Sequence, residues 1–195
     1  YYTQDYYLRS RFGKKVIKLS LNAGLSCPNR DGTKGFGGCT YCSGSLSGDF
    51  AGNPKDSILS QIEAQKRSIS TKWKDGLYIS YFQAGTNTYA PLEKLKILYQ
   101  TALLPKDVVG LAIATRSDCL TDDTIDYLQE LSKQTYLTIE LGLQTIHDTT
   151  AEYIHRGHTF KQFLDTYYKL QSKGLNVCIH IINGLPNETY SMMLQ

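Results

Sequence analysis

Five short runs rich in β-branched and aromatic residues recur along the chain, and helical stretches separate them. "VIKLSL" (16–21), "GLYISYF" (76–82), "VVGLAIA" (108–114), "YLTIELGL" (136–143) and "NVCIHII" (176–182) read as strands. "SILSQIEAQKRSI" (57–69) places Ile58, Ile62 and Ala64 at helical spacing. Pro91 opens "PLEKLKILYQTAL" at a good first helical position. "TDDTIDYLQELSKQ" begins with Thr121 as cap and acids in the first turn. "TFKQFLDTYYKLQSKG" closes on Gly174, and "NETYSMMLQ" starts a further helix. Strands joined through helices cannot pair as hairpins, so the sheet must be parallel and the fold class α/β. The unbroken apolar run "VVGLAIA" agrees, because a strand covered on both faces has no polar side. A doubly wound sheet and a barrel both fit this pattern.

In either architecture the working site lies at the C-terminal ends of the strands. The residues that interrupt the apolar pattern fall there. A cysteine-bearing loop follows the first strand, "QAGTNT" the second, "TRSD" the third, "QT" the fourth and "NGLPNE" the fifth. At 195 residues the chain is long enough for one domain with a sizeable core. No apolar run is long enough to span a membrane and no leader opens the chain, so a cytoplasmic location is expected. A net charge of +3 permits a nucleic-acid partner without requiring one. The chain lacks an initiator Met and ends on a helix-like stretch, so it reads as part of a longer protein.

The loop "CPNRDGTKGFGGCTYC" (27–42) carries three cysteines, Cys27, Cys39 and Cys42, among four glycines. Two more, Cys119 and Cys178, lie in apolar stretches and read as small buried hydrophobes. Five cysteines in a cytoplasmic chain argue against disulfides. Three thiols gathered in one loop point to a metal. A structural zinc site takes four ligands, usually as two pairs, and only Cys39 and Cys42 form a pair here. A cubane iron–sulfur cluster on three thiolates leaves one iron without a protein ligand, free to bind a cofactor. Iron–sulfur, zinc and unliganded thiols all remain open at this level.

"GGCTYC", with aromatic Tyr41 between the last two cysteines, resembles the end of the radical S-adenosylmethionine (SAM) signature. With "YFQAGTNTYAP", "ATRSDCL", "ELGLQT", "RGH" and "HIINGLPNET" in order, residues 12–189 resemble the YhcC/YtqA-type branch of the radical SAM superfamily, a relative of the Elongator catalytic subunit's radical SAM domain. That branch spaces its first two cysteines widely, as here. The resemblance implies a partial (β/α)6 TIM-like barrel of radical SAM type over 1–195, cut in or before its sixth unit. It implies a [4Fe-4S] cluster on Cys27, Cys39 and Cys42, S-adenosyl-L-methionine on the open iron, and an electron donor such as flavodoxin or ferredoxin. For cofactor contacts it implies Tyr41, Gly85 and Thr86 of "QAGTNT", Gln144, Arg156 near the SAM carboxylate, His180 near the ribose and Gly184 near the adenine. His180 taken alone reads more simply as a core histidine. His155 and His158 read as solvated helix-end residues. Glu140, isolated in an apolar strand, needs a partner, and Arg116 or Arg156 is expected to supply it.

The same resemblance implies tRNA as the substrate, at a wobble uridine, in a change of the 5-carboxymethylaminomethyl to 5-aminomethyl type. The N-terminal segment interleaves Arg9, Arg11, Lys14, Lys15 and Lys18 with Tyr1, Tyr2, Tyr6 and Tyr7. That mix suits phosphate contact and base stacking, or simply a solvated basic edge. A radical SAM enzyme acting on a small molecule or protein, and a zinc-stabilised binding module without redox chemistry, are the alternatives.

Overall fold

The structure, a computed structural model, describes residues 1–73 and 75–195. The five expected strands form: β1 (Val16–Leu21), β2 (Leu77–Phe82), β3 (Val108–Arg116), β4 (Tyr136–Gln144) and β5 (Asn176–Ile181). They make one sheet in the order β1-β2-β3-β4-β5, with every neighbouring pair parallel. A doubly wound sheet reverses its strand order partway, so this strictly sequential order selects the barrel-type architecture.

Seven helices accompany the strands among the described residues: α1 (Gln4–Phe12), α2 (Ile58–Ile69), α3 (Leu92–Ala102), α4 (Asp122–Ser132), α5 (Asp148–Tyr153), α6 (Phe160–Ser172) and α7 (Tyr190–Met193). The caps follow the sequence. Ser57, Thr121 and Thr159 each accept from a backbone N–H of the first turn, and Gln162 completes a capping box with Thr159. Pro91 differs slightly: it caps α3 in an extended conformation and Leu92 is the first helical residue. The connecting helices bury one stripe each against the sheet, as with Ile125, Leu128 and Leu131 of α4, which join Leu111, Ile113, Leu137 and Ile139 in the main core.

A second, smaller core occupies the opposite, inner face. Leu8 of α1 packs there with Val16, Ile79 and Ala112, flanked by Phe12, Leu77 and Tyr136. Helix α1 therefore sits over the N-terminal end of the inner face. The sequence pattern hid it because Leu8 is the one buried residue in its nine. This placement changes the reading of the cationic N-terminal segment. Arg9 and Lys15 share Asp5 at 3.0 and 2.5 Å, Arg11 lies over the Phe12 and Tyr136 rings, and Lys18 turns inward to Glu140. Tyr7 packs against Tyr136, while Tyr1, Tyr2 and Tyr6 remain exposed. Of the segment's cations only Lys18 meets a buried partner; Arg9, Arg11 and Lys14 stay exposed at the surface.

β5 pairs on one side only among the described residues, and nearly all its side chains are exposed. Cys178 is consequently exposed rather than buried, and Cys119 is half-buried.

Replacing Leu8 by Ala should lower stability by about 2 kcal/mol, because it empties the contact that holds α1 to the inner face. Leu59→Ala, on the exposed side of α2, should cost under about 0.5 kcal/mol. Urea midpoints of the two variants provide the check, and equal midpoints would mean that α1 does not close the inner face.

Candidate active site

All five strand-end loops meet at one rim and enclose a chamber of about 330 Å³. The first wall is the cysteine loop. Arg30 and Asp31 turn back onto the Cys27 carbonyl, and Gly38 donates to the Asn29 carbonyl. Residues 28–38 thus fold into a compact excursion that returns Cys39 and Cys42 to Cys27, and all three thiols line the chamber. Gly38 has φ +83°, and a Cβ there would lie 2.6 Å from Arg30 Nε, so glycine is required at this crossing. Buried Asn29 ties the loop down: its Nδ2 donates to the carbonyls of His155 (2.7 Å) and Arg156 (3.1 Å) and lies 3.4 Å from Cys39 Sγ. The Thr40 N–H reaches the Ile154 carbonyl, and Lys34 reaches Asp118 at 2.5 Å.

The second wall is "QAGTNT". Gly85 has φ +81°, and a Cβ on it would sit 2.4 Å from the Leu25 carbonyl oxygen, so this backbone packs directly on the segment leading to Cys27. Thr86 is buried beside it and donates its N–H to Ser26. Both line the chamber, as does Gln83. Asn87, which the motif reading passed over, fixes the turn: its buried Nδ2 donates to the carbonyls of Phe82 (2.9 Å) and Ala114 (3.0 Å), bridging β2 and β3.

Tyr41 also lines the chamber. Burial and the adjacent Cys39 push its hydroxyl well above the ordinary tyrosine range, so it remains a donor. Gln144 ends β4 in a left-handed conformation, φ +61°, at an irregularity in the β4–β5 register. Non-glycine residues adopt this backbone at a cost of about 1 kcal/mol or more, and such residues concentrate at functional sites. A Cβ on Gly142 would lie 2.7 Å from Gln144 Nε2, so the glycine makes room for the amide to fold back.

Arg156 is fully buried. Its Nε donates to the His158 carbonyl, its Nη1 to those of Leu143 and Thr145, and its Nη2 to Asp148. Four of its five N–H groups are therefore committed to the loop around it. His158 is buried against it, not solvated as expected. Burial and the Arg156 charge push it down to about 4, so it is neutral at pH 7. His155 is exposed, with φ +56°.

Glu140 takes neither expected arginine. Its carboxylate meets Lys18 of β1 on one oxygen and His180 Nε2 of β5 at 3.0 Å on the other. Arg116 instead pairs with Asp118, and Arg156 with Asp148. The sequence did hold the signal: Lys18 and Glu140 each interrupt an apolar strand with opposite charge. Burial opposes ionisation of Glu140, but His180 and Lys18 outweigh it and hold the carboxyl at about 2. His180 lines the chamber with a half-exposed ring, so it is not a core histidine. Gly184, φ +83°, lies outside the chamber lining, and its N–H points at Met193 Sδ.

Among the described residues no three Cys, His, Asp or Glu side chains stand close enough together to grip a single metal ion. The chamber that the cysteines line also holds Glu140, His158 and His180, but none of these stands with the thiols as a ligand of a zinc site. The chemistry of the thiols fits a polynuclear iron–sulfur cluster held from three points.

A sequential parallel β/α sheet whose rim brings three cysteines to one chamber beside a glycine-rich turn defines an α/β protein of the barrel type. The chain belongs to the radical SAM superfamily, whose family model matches residues 27–195. It is 53% identical to the uncharacterised protein YtqA of Bacillus subtilis over all of this chain and 61% of that protein. It is 43% identical to YhcC of Escherichia coli over 96% of this chain and 60% of that protein. The chain therefore spans about three fifths of the length of these relatives. A shorter match, 32% identical over 43% of the chain and 15% of the relative, is to a tRNA uridine(34) acetyltransferase of Methanocaldococcus jannaschii. Among solved structures, the archaeal Elp3 of Methanocaldococcus infernus shares the fold, with a TM-score of 0.59 at 16% identity, over 91% of this chain and 40% of that one. Superfamily membership implies a [4Fe-4S] cluster and SAM. No helix among the described residues is long and apolar enough to cross a membrane.

The Glu140 pairs have a pH signature. The folded carboxyl titrates at about 2 against an ordinary 4.5, so the stabilisation is complete above about pH 4.5 and is lost as pH falls toward 2. Across that window the wild type should lose of order 2–3 kcal/mol from this group. Glu140→Gln should flatten that part of the acid limb. Urea midpoints between pH 2.5 and 7 test this, and an unchanged limb would show that Glu140 is not held ionised.

Proposed function

We propose that this chain is the catalytic core of a radical SAM enzyme that modifies a wobble uridine in tRNA, with Cys27, Cys39 and Cys42 holding a [4Fe-4S] cluster. The single observation carrying the first part is the convergence of those three thiols on one chamber with the glycine-rich Gly85 turn. When bound, the cluster supplies the electron that splits SAM into methionine and a 5'-deoxyadenosyl radical, which takes a hydrogen atom from the substrate. The protein's part is to position and to exclude water. The backbone of Gly85 and Thr86, the Gln144 amide and the Tyr41 hydroxyl offer polar contacts around a cofactor. His180, fixed by Glu140, presents its ring at the β5 side. Arg156 acts through the loop that it braces, and Gly184 shapes the loop beyond the rim.

The tRNA part rests on the partial likeness to a protein named for acting on uridine 34 of tRNA. The reaction we favour converts a 5-carboxymethylaminomethyl to a 5-aminomethyl group: the carboxymethyl carbon would lose a hydrogen atom and an electron to give an imine, with SAM as the two-electron oxidant, and water would then break the carbon–nitrogen bond and release the two-carbon fragment as an aldehyde acid. A flavodoxin- or ferredoxin-type protein is the proposed electron donor.

Anaerobic reconstitution with iron and sulfide, followed by dithionite and SAM, should give about four irons per chain and 5'-deoxyadenosine on chromatography. Alanine at Cys27, Cys39 or Cys42 should abolish that product, while Cys119→Ala and Cys178→Ala should retain it. Wild-type yield from Cys39→Ala would refute the cluster assignment, and a zinc-loaded protein that leaves SAM intact would favour a binding module. With hypomodified tRNA added, nucleoside analysis should show the wobble base altered. SAM cleavage without any change in tRNA would direct the search to a small-molecule or protein substrate.

A further inference from the structure

The inner face of the sheet carries a group of titratable side chains that holding a cluster and SAM does not explain. Glu140 of β4 stands at its centre, nearly inaccessible, with Lys18 of β1 on one oxygen and His180 Nε2 of β5 at 3.0 Å from the other. Tyr81 of β2 closes the group. Its hydroxyl donates to Glu140, and the Lys18 ammonium lies 4.8 Å from its ring centre. Burial and the Glu140 charge push the Tyr81 hydroxyl upward, so it stays a donor. Cys178, two residues before His180 and on the same strand face, is pushed up by burial and by Glu140 and stays a neutral thiol. Tyr81, Glu140 and His180 all line the chamber.

Three donors around one carboxylate make Glu140 a poor base. Burial opposes its ionisation, yet the donors outweigh it and hold the carboxyl at about 2, so Glu140 takes no proton at neutral pH. Its effect falls on the imidazole instead. A carboxylate at Nε2 claims that nitrogen's proton, and the neutral ring then keeps its lone pair on Nδ1. Nδ1 makes no hydrogen bond among the described residues, and the ring is half-exposed to the chamber. An imidazole backed by a buried carboxylate and open on its other nitrogen is built to move a proton. A ribose hydroxyl, the contact that the sequence resemblance gave to His180, needs a hydrogen-bond partner but no buried carboxylate behind it.

We propose that His180, oriented by Glu140, is the general base that takes the proton from the substrate's side-chain ammonium. This rests on the wobble-uridine reading, in which the carboxymethyl carbon next to that nitrogen is oxidised. SAM takes a hydrogen atom and then an electron from this carbon. Between the two, the ammonium N–H bond breaks: its proton goes to His180 Nδ1 and its electron pair stays on nitrogen. That pair forms the carbon–nitrogen double bond as the electron leaves, giving a protonated imine. Water then adds to the imine carbon and the carbon–nitrogen bond breaks. The water oxygen becomes the aldehyde, and both its hydrogens pass as protons to the departing amine. The proton on His180 returns to solvent. Glu140, Lys18 and Tyr81 are positioning residues.

The test uses the reconstituted protein with SAM, dithionite and hypomodified tRNA, and reads aminomethyl nucleoside formed per 5'-deoxyadenosine. His180→Gln should lower this ratio about 100-fold at neutral pH. The ratio should recover as pH rises toward the ammonium's own pKa, where solvent removes the proton, and added imidazole should restore it in part. Glu140→Gln should lower it about 10-fold. A second measurement needs neither cluster nor turnover: long-range proton–nitrogen NMR of protein with isotope-labelled histidine. At the assay pH, wild-type His180 should carry its proton on Nε2 and none on Nδ1, and Glu140→Gln should lose this single tautomer. A His180→Gln protein with its ratio intact at neutral pH, whether or not SAM cleavage slows, overturns the proposal alone, as does a wild-type ring protonated on both nitrogens. A wild type that forms 5'-deoxyadenosine and leaves the tRNA unaltered overturns the wobble-uridine reading and the proposal with it.

Discussion

A parallel sheet in sequential order fixes where everything else must go. Each strand has to be re-entered from the same end, so each strand also delivers its last residue to the same rim. Here that brings the cysteine loop, the Gly85 turn, Arg116, Gln144 and the β5 end around one chamber, although up to 155 residues separate them along the chain (Cys27 to Ile182). The helices cover the outer face, and α1 covers the N-terminal end of the inner one. The space left at the C-terminal end is what the chemistry can use.

The inner face of the barrel is held by charge as well as by apolar contact. Lys18, Glu140 and His180 come from β1, β4 and β5 and join across the sheet's concave side. Glu140 is nearly inaccessible, so removing either partner would leave a buried carboxylate undercompensated. Above this layer the loops are fastened to neighbouring strands and loops as well as to their own strands. Asn29 bonds the segment carrying Arg156, Lys34 bonds Asp118, and Asn87 spans β2 and β3. Each link ties one strand's loop to another strand or to its loop.

The sequence made the strands and their ends legible because both are local properties: β-branched runs, helix caps and glycines with polar neighbours. It also identified the three cysteines that share the chamber. It did not reveal partners. Glu140 met Lys18, 122 residues away, because both project from the inner face of the sheet, which is a property of the sheet and not of either strand. Arg156 looked available, yet carbonyls of its own loop occupy it. His158 looked solvated, yet the Gly157 turn folds it under. Cys178 looked buried because its strand is apolar, and within the described residues it is exposed. Helix α1 escaped notice since a helix with one buried side chain has no period to detect.

The eleven-residue excursion between Cys27 and Cys39 also has a thermodynamic consequence. Closing a loop of that length costs only about 1 kcal/mol more in chain entropy than closing one of about three residues, since the cost grows with the logarithm of length. The hydrogen bonds of Asn29 and the Lys34–Asp118 pair are enough to offset it. The protein's own contacts thus close the excursion at little cost in chain entropy. Small zinc modules spend the binding energy of the ion on folding, whereas a loop that is already closed leaves that energy in the affinity.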